Sequence, residues 1–339
     1  MRVHVLRGCW GYLYGMSDQR PILIFDAMNA FVRSYVAYPT MSVHGYQMGG
    51  CIGFLKTLRR IVSEVQPSAV YVCWEGGGSA RRRSIFKEYK LGRVPGKLNR
   101  FYEDDIPDTE ENRKHQTEAL LGMLKHVPVC QLYVRDCEGD DLVAYLCLGP
   151  LRGKDKIIVS SDKDLYQLLD SSTKLYSLHK KTYVTHETVF EEFRVQARHF
   201  ALAKALCGDP GDNVPGIKGV GFKSVAKLFP MMGLEEDVLL QDVIDYAHSH
   251  EEESRLLQRI VENQDDVKRN WRLVYLDGSM VPANQQASID QRIQNFVPRA
   301  DRMGLVRNLI KEGINDFDVE DFYYAFNCID NLELRTGDS

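Results

Sequence analysis

The sequence contains no stretch of about 18 consecutive apolar residues, which argues against a helical membrane span. None of its eight cysteines stands in a C-x-x-C pair, so a structural zinc site is not expected. Cys73 and Cys147 fall inside apolar runs and read as small buried residues, a usage that fits a reducing cytoplasm. Residues 1–19 lack a sustained apolar core and a cleavage site, which speaks against a signal peptide. The strand pattern starts only after Met16, so Met16 is expected to be the natural start and the residues before it an upstream extension. No internal repeat or low-complexity tract is present. Net charge is scarce too: 43 basic residues against 47 acids give −4. That excludes a protein that coats nucleic acid by bulk charge, but not one with local basic patches.

What is present suits a globular enzyme. At 44% apolar and 27% charged, the 339 residues can build a sizeable core in one large domain or two ordinary ones. Pro21–Asp26 (PILIFD) reads as a buried strand with Asp26 at its carboxyl end. Gly49–Val65 sets Ile52, Leu55, Leu58, Ile61, Val62 and Val65 at helical spacing. Ala69–Trp74 is a second buried strand, followed by Glu75. Asn112–Val127 has a helical pattern and Gln131–Val134 is a third strand. Glu138, Asp140 and Asp141 then precede a buried helix. Lys156–Ser160 is a fourth strand, with Asp162 and Asp164 ahead of a helix carrying Leu165, Leu168 and Leu169. Thr173–Ser177 and Thr182–Thr185 read as a strand pair closing the sheet, and Glu187–Leu206 as one helix. Helices follow Phe229, with a polar connector at Glu251–Glu253 and a long loop around Asp277–Gln286. Leu305–Ile310 and Phe317–Phe326 are the last expected helices.

Two stretches stand apart. Ser79–Arg100 holds Arg81, Arg82, Arg83, Lys87, Lys90, Arg93, Lys97 and Arg100 against one acid, Glu88, with Phe86 and Tyr89 interleaved. A solvated helix face mixes signs; cations among rings suit a nucleic-acid strand, phosphate to the cations and bases to the rings. Gly208–Phe229 (GDPGDNVPGIKGVGFKSVAKLF) joins two acids, Asp209 and Asp212, to a tight loop. Gly216, Gly219 and Gly221, with Lys218 and Lys223, let that backbone approach a partner closely. Its N–H groups and the following helix N-terminus favour phosphate.

Strand–helix alternation predicts a mostly parallel sheet. Asp26, Glu75, Glu138, Asp140, Asp141, Asp162 and Asp164 then gather at one edge, joined by Asp209 and Asp212. Acids so crowded raise one another's pKa values, and divalent cations relieve the repulsion. Oxygen-only ligands point to Mg²⁺ or Mn²⁺ rather than zinc. Two such ions about 3.5–4 Å apart can clamp the attacking and leaving oxygens of a phosphodiester displacement.

The segments ILIFDAMNAFVRSY, AVYVCWE, FKEYKLGR, CEGDDLVAYL, IIVSSDKDLYQLL and GDPGDNVPGIKGVGFKSVAKLF, in that order, resemble the structure-specific 5′ nucleases. These are the flap endonucleases, the 5′–3′ exonuclease domain of bacterial DNA polymerase I and the shorter bacteriophage enzymes. The resemblance covers roughly residues 20–230 and is weak beyond Phe229. With no polymerase domain attached, the length points to the bacteriophage type, acting in the host cytoplasm. It implies an α/β fold: a mostly parallel central sheet flanked by helices, a PIN-like core, a helical arch and a helix–three-turn–helix element that grips duplex DNA. The implied organisation is an N-terminal extension at 1–19, an α/β nuclease core at 20–190 that includes the arch at 79–111, and a helical region at 191–339. The helix–hairpin–helix would be 208–229.

By position, the resemblance gives Asp26, Glu75, Glu138 and Asp140 to a first metal, and Asp141, Asp162, Asp164, Asp209 and Asp212 to a second. Tyr89 corresponds to a tyrosine that stacks near the scissile nucleotide, Lys90 to a catalytic lysine and Arg93 to a phosphate-contacting arginine. Arg81, Arg82, Arg83 and Lys87 would meet the threaded strand. Gly216, Lys218, Gly219, Gly221 and Lys223 would meet the duplex, with K⁺ held on backbone carbonyls. The implied activity is metal-dependent hydrolysis of DNA, and of RNA primers, at 5′ ends and junctions during replication, by a monomer with no membrane association. Implied substrates are 5′ flaps, nicked or branched duplexes and RNA–DNA hybrids, with replication proteins as partners. One departure is Glu75, where many members carry Asp; its extra methylene moves the oxygens outward. The alternatives are a non-catalytic flap- or junction-binding paralogue, which a full acid set disfavours, and a PIN-type ribonuclease, which lacks the hairpin after the fourth acidic cluster.

Overall fold

The computed structural model describes residues 20–78, 80–92 and 110–334. The expected N-terminal extension lies outside them. Six strands form one sheet: β1 Ile22–Asp26, β2 Ala69–Trp74, β3 Cys130–Tyr133, β4 Lys156–Ser160, β5 Thr173–Ser177 and β6 Thr182–Val184. Their order is β3-β2-β1-β4-β5-β6. The first five are parallel, and β6 returns antiparallel to β5 as a hairpin at the edge.

Side chains along each strand alternate between two cores, which is why the strands read as unbroken apolar runs. Leu23, Phe25, Val70, Val72, Ile157 and Val159 face one core, and Ile22, Ile24, Tyr71, Cys73 and Ile158 the other. The first core is covered by α1 (Ala27–Ala37), α2 (Gly49–Val65) and α4 (Glu110–Leu124). A short helix, α3 (Ala80–Ile85), precedes α4. Leu55, Leu58, Ile61 and Val62 of α2 are wholly buried; each such side chain contributes about 1.5–3 kcal/mol relative to exposure. The second core is covered by α5 (Gly139–Leu148) and α6 (His186–Phe193).

Sequence and structure part company between 187 and 206. Arg194 is left-handed, at φ +58°, and ends α6. A short 3-10 turn and a separate helix, α7 (Phe200–Cys207), follow. The Gly208–Phe229 stretch is a two-residue strand pair, β7 (Gly208–Asp209) with β8 (Val214–Pro215), then α8 (Phe222–Leu228). A third core gathers α7, α8, α9 (Leu240–Ser249), α10 (Arg255–Glu262) and α11 (Gln264–Val274).

Three helices close the chain: α12 (Ala283–Gln294), α13 (Arg302–Lys311) and α14 (Val319–Tyr324). The loop expected around Asp277–Gln286 is replaced by a 3-10 turn at Gly278–Met280 and the start of α12 behind Pro282. Leu305, Leu309, Phe322 and Phe326 pack in the same core as Leu23 and Phe25. The last described helices therefore pack on the core that β1 lines.

Candidate active site

Five parallel strands put their carboxyl ends on one edge, and the acids collect there. Asp26 does two jobs at once. Its Oδ1 accepts the Asn29 N–H at 3.1 Å and caps α1, while Oδ2 accepts the Ser160 hydroxyl at 2.8 Å. Ser160 Oγ in turn accepts the Asp162 N–H at 3.0 Å, and Asp162 Oδ1 accepts the Asp164 N–H at 2.9 Å. Ser160 and Asn29, which the sequence reading did not single out, thus tie the end of β4 to the start of α1; Asn29 Oδ1 accepts from the Ser161 N–H at 3.0 Å.

Gly76 sets the end of β2. A Cβ there would lie 1.6 Å from the Val134 carbonyl oxygen, so only glycine lets the loops after β2 and β3 pair, Gly76 N–H to Cys137 O at 2.9 Å. That pairing carries Glu138 and Gly139 towards Asp26. A Cβ on Gly139 would stand 3.8 Å from both Asp26 Oδ1 and the Glu75 Cγ, which places Glu75 beside Asp26.

Electrostatics divide the cluster. Burial pushes the Asp26 carboxyl up to about 7, with Asp162 and Glu75 adding to it against the Ser160 and Asn29 hydrogen bonds. Asp140 is also raised well above the ordinary range, first by burial and then by Asp162 and Asp26. Glu138 and Asp209 go the other way. Burial would raise Glu138, but Lys90 and Arg82 outweigh it and hold it low. Lys204 does the same for Asp209. Among the described residues, oxygens of Asp164, Asp209 and Asp212 come within 4.8 Å of one another. Oxygen donors with crowded charge fit a divalent cation by their chemistry.

The basic residues are sorted by burial. Lys90 Nζ lies 2.9 Å from Glu138 and 3.7 Å from Asp212; these acids raise its pKa against the opposing effect of burial. Its backbone is left-handed at φ +54°, and its N–H donates to the Asp212 carbonyl at 3.0 Å. The Asn213 amide donates to the carbonyls of Glu88 and Leu91. The loop bearing Lys90 and the loop bearing Asp212 therefore hold each other.

Tyr89, expected to offer a stacking face, is 4% exposed. Its hydroxyl donates to Glu138 at 3.0 Å and to Asp212 at 3.3 Å, so it orients carboxylates. Burial and Glu138 push the phenol far up, keeping it a donor.

Two expectations are corrected. Arg82, placed on DNA, is 2% exposed: its guanidinium forks onto Asp141 at 2.7 and 2.9 Å, reaches Glu138 at 3.1 Å and donates Nε–H to the Leu273 carbonyl at 2.8 Å. Asp141, placed on a metal, has both oxygens on Arg82 and one also on the Glu138 N–H. In this structure it serves as the counter-charge of Arg82. Arg81, Arg83 and Lys87 are exposed, as are Gly216, Lys218, Gly219, Gly221 and Lys223. At Gly216 the close approach is to the chain itself, since a Cβ would meet the Cys207 carbonyl at 1.9 Å. Arg93 lies outside the described residues. Lys204 was missed; its one signal was a lone lysine in the apolar helix FALAKALC, five residues before Asp209.

Residues 21–194 match the family model described as the 5′-3′ exonuclease, N-terminal resolvase-like domain. A 5′-3′ exonuclease of Bacillus subtilis is 30% identical over 224 residues, 62% of this chain and 70% of that protein. The thermostable DNA polymerase I of Thermus aquaticus is 28% identical over 256 residues, 74% of this chain but 28% of the polymerase. In fold, the chain is similar to the flap endonuclease of bacteriophage T5, solved with DNA and metal ions. The TM-score is 0.61 at 19% identity, covering 87% of this chain and 100% of that one. No helix among the described residues is long and apolar enough to cross a membrane. With the matched core carrying the carboxylate edge described above, the chain belongs to the 5′–3′ exonuclease family and is a 5′ nuclease.

Proposed function

We propose that the protein is a divalent-metal-dependent nuclease that hydrolyses DNA phosphodiesters at 5′ ends and flap junctions, using two Mg²⁺ or Mn²⁺ ions. The observation that carries this is the meeting of Asp26, Asp140, Asp162, Asp164, Asp209 and Asp212 with Glu138 and the Lys90 ammonium around one edge. Asp26 and Asp140, with Glu75 and Glu138 beside them, would hold one ion; Asp164, Asp209 and Asp212 would hold the other, with Asp162 between. When bound, the ions supply charge neutralisation and activation of water at neutral pH. The chain's own part is positional. Lys90, kept cationic by Glu138 and Asp212, neutralises charge on the phosphoryl oxygens. Tyr89 and Arg82 hold Glu138 in place.

Exposed Arg81, Arg83 and Lys87 would lead the 5′ strand to the edge, followed by Arg93. The loop at 216–221 would hold duplex phosphates on its N–H groups, with K⁺ on its carbonyls. RNA primers and RNA–DNA hybrids would be the accompanying substrates, in a bacteriophage replication setting with replication proteins as partners. The arch at 79–111, the α/β core to residue 190 and the helical region at 191–339 would divide the work between threading the strand, cutting it and holding the duplex.

The test is a labelled 5′-flap duplex incubated with the protein in Mg²⁺. Short 5′ products are expected, with none in EDTA; cleavage unchanged by EDTA would overturn the reading. Under the same conditions Lys90→Ala is expected to cut about 10²–10³-fold more slowly, since it removes one preorganised charge from the reacting phosphoryl group.

A further inference from the structure

Lys204 sits on α7 among Phe200, Ala201, Leu202, Ala203, Ala205 and Leu206, all buried. Its side chain is 9% exposed. A lysine so placed costs several kcal/mol in lost hydration unless its charge is paired. The pairing is specific. The ammonium contacts Asp164, which opens the 3-10 turn after β4, and Asp209, at 2.6 Å, just past α7. These are two of the three carboxylates whose oxygens share the 4.8 Å region. The lysine nitrogen therefore already sits where a cation bridging Asp164 and Asp209 would bind. Arg82 and Lys90 are engaged with Glu138, Asp141 and Asp212.

We propose that Lys204 is a built-in counter-ion that competes with a divalent cation for Asp164 and Asp209, so that the site fills in two steps of unequal affinity. This rests on the metal-dependent reading above. The ammonium neutralises the two acids while the second position is empty, which lets them be packed together without an ion. A divalent cation entering there must displace it, and the unbranched four-carbon stem lets the head group swing aside while its root stays fixed in α7. The position beside Asp26 and Asp140 carries no such toll from Lys204 and fills first.

The experiment measures Mn²⁺ binding to the whole metal-free protein without DNA, by calorimetry and by the electron paramagnetic resonance of free Mn²⁺. The wild type is expected to show a tight and a weak class. Lys204→Met is expected to tighten the weak class by about tenfold or more, because a competing charge at contact distance is gone, and to leave the tight class in place. Lys204→Arg, which keeps the charge, is expected to hold the weak class near wild type. A folded Lys204→Met protein with both classes unchanged overturns the proposal while leaving metal-dependent hydrolysis standing. A wild type that binds no Mn²⁺ overturns the metal reading itself. Should the Met variant fail to fold, Lys204→Gln, which can still hydrogen-bond to both acids, gives the same comparison.

Discussion

Asp26→Asn is expected to slow flap cleavage by about 10²–10³-fold or more while making the cation-free protein more stable at pH 8. Both effects come from one carboxylate. In the folded chain Asp26 is buried beside Asp162 and Glu75, and its pKa stands near 7 rather than 3.8. The folded state therefore holds a proton that the unfolded state has lost. The contribution of Asp26 to stability is greatest below about pH 4, falls as pH rises from 4 towards 7, and levels off above that. The substituted amide has no proton to lose, keeps an oxygen for the Asn29 N–H, and lowers the repulsion on Asp140. Denaturant titrations in EDTA from pH 4 to 8 are expected to show a clear downward slope for the wild type and a shallower one for Asp26→Asn. Added Mg²⁺ should stabilise the wild type more at pH 8 than at pH 5. Identical slopes for the two proteins would mean that Asp26 is not the strained acid.

Arg82→Ala is expected to destabilise the fold by about 3–5 kcal/mol, because it takes the counter-charge from buried Asp141 and one of three partners from Glu138, which keeps Lys90 and Tyr89. Urea unfolding of the wild type and the variant reads this directly. Had Arg82 met DNA, stability would be intact and only DNA binding would weaken. Removing both members, as Arg82→Met with Asp141→Leu, should recover much of the lost stability, since neither charge is then left alone. Cleavage is not expected to recover with it. Glu138 would still lack the guanidinium that positions its Oε2, 3.1 Å away in the wild type. A double variant as unstable as Arg82→Ala would place the cost in lost packing of the long side chain instead.

How much of this was legible follows from what a linear pattern can carry. Strands Ala69–Trp74, Lys156–Ser160 and Thr173–Ser177 and helix Gly49–Val65 have the bounds the apolar runs predict, because burial on both faces of a strand, or one face of a helix, leaves an unambiguous pattern. The acids at strand ends were legible for the same reason: parallel order turns sequence position into a shared edge. Charge state was not. Arg81, Arg82 and Arg83 are adjacent and alike, yet only Arg82 points inward, and α3 is too short to show a periodic face. Tyr89 reads like any ring in a basic stretch until Glu138 and Asp212 are brought to its hydroxyl. The break at Arg194 and the start of α12 depend on local backbone choices that the surrounding polar residues do not announce.

The Leu273 carbonyl that receives Arg82 lies far beyond residue 194, where the family model ends. It is a main-chain atom, and any residue type supplies one. The same holds for the Val274 carbonyl, which accepts from Gln167, and for the Ala205 and Pro215 carbonyls, which accept from Asn270. A buttress made of carbonyl oxygens constrains the path of the chain without fixing the side chains of the residues that supply them. Leu273 and Val274 can change to other apolar residues without moving these two supports. The fold likeness to the T5 enzyme spans 87% of this chain, whereas the family model reads only its first part. For protein engineering, a shortened chain ending near Phe229 would keep every acid of the edge and lose the atom that aims Arg82 at them.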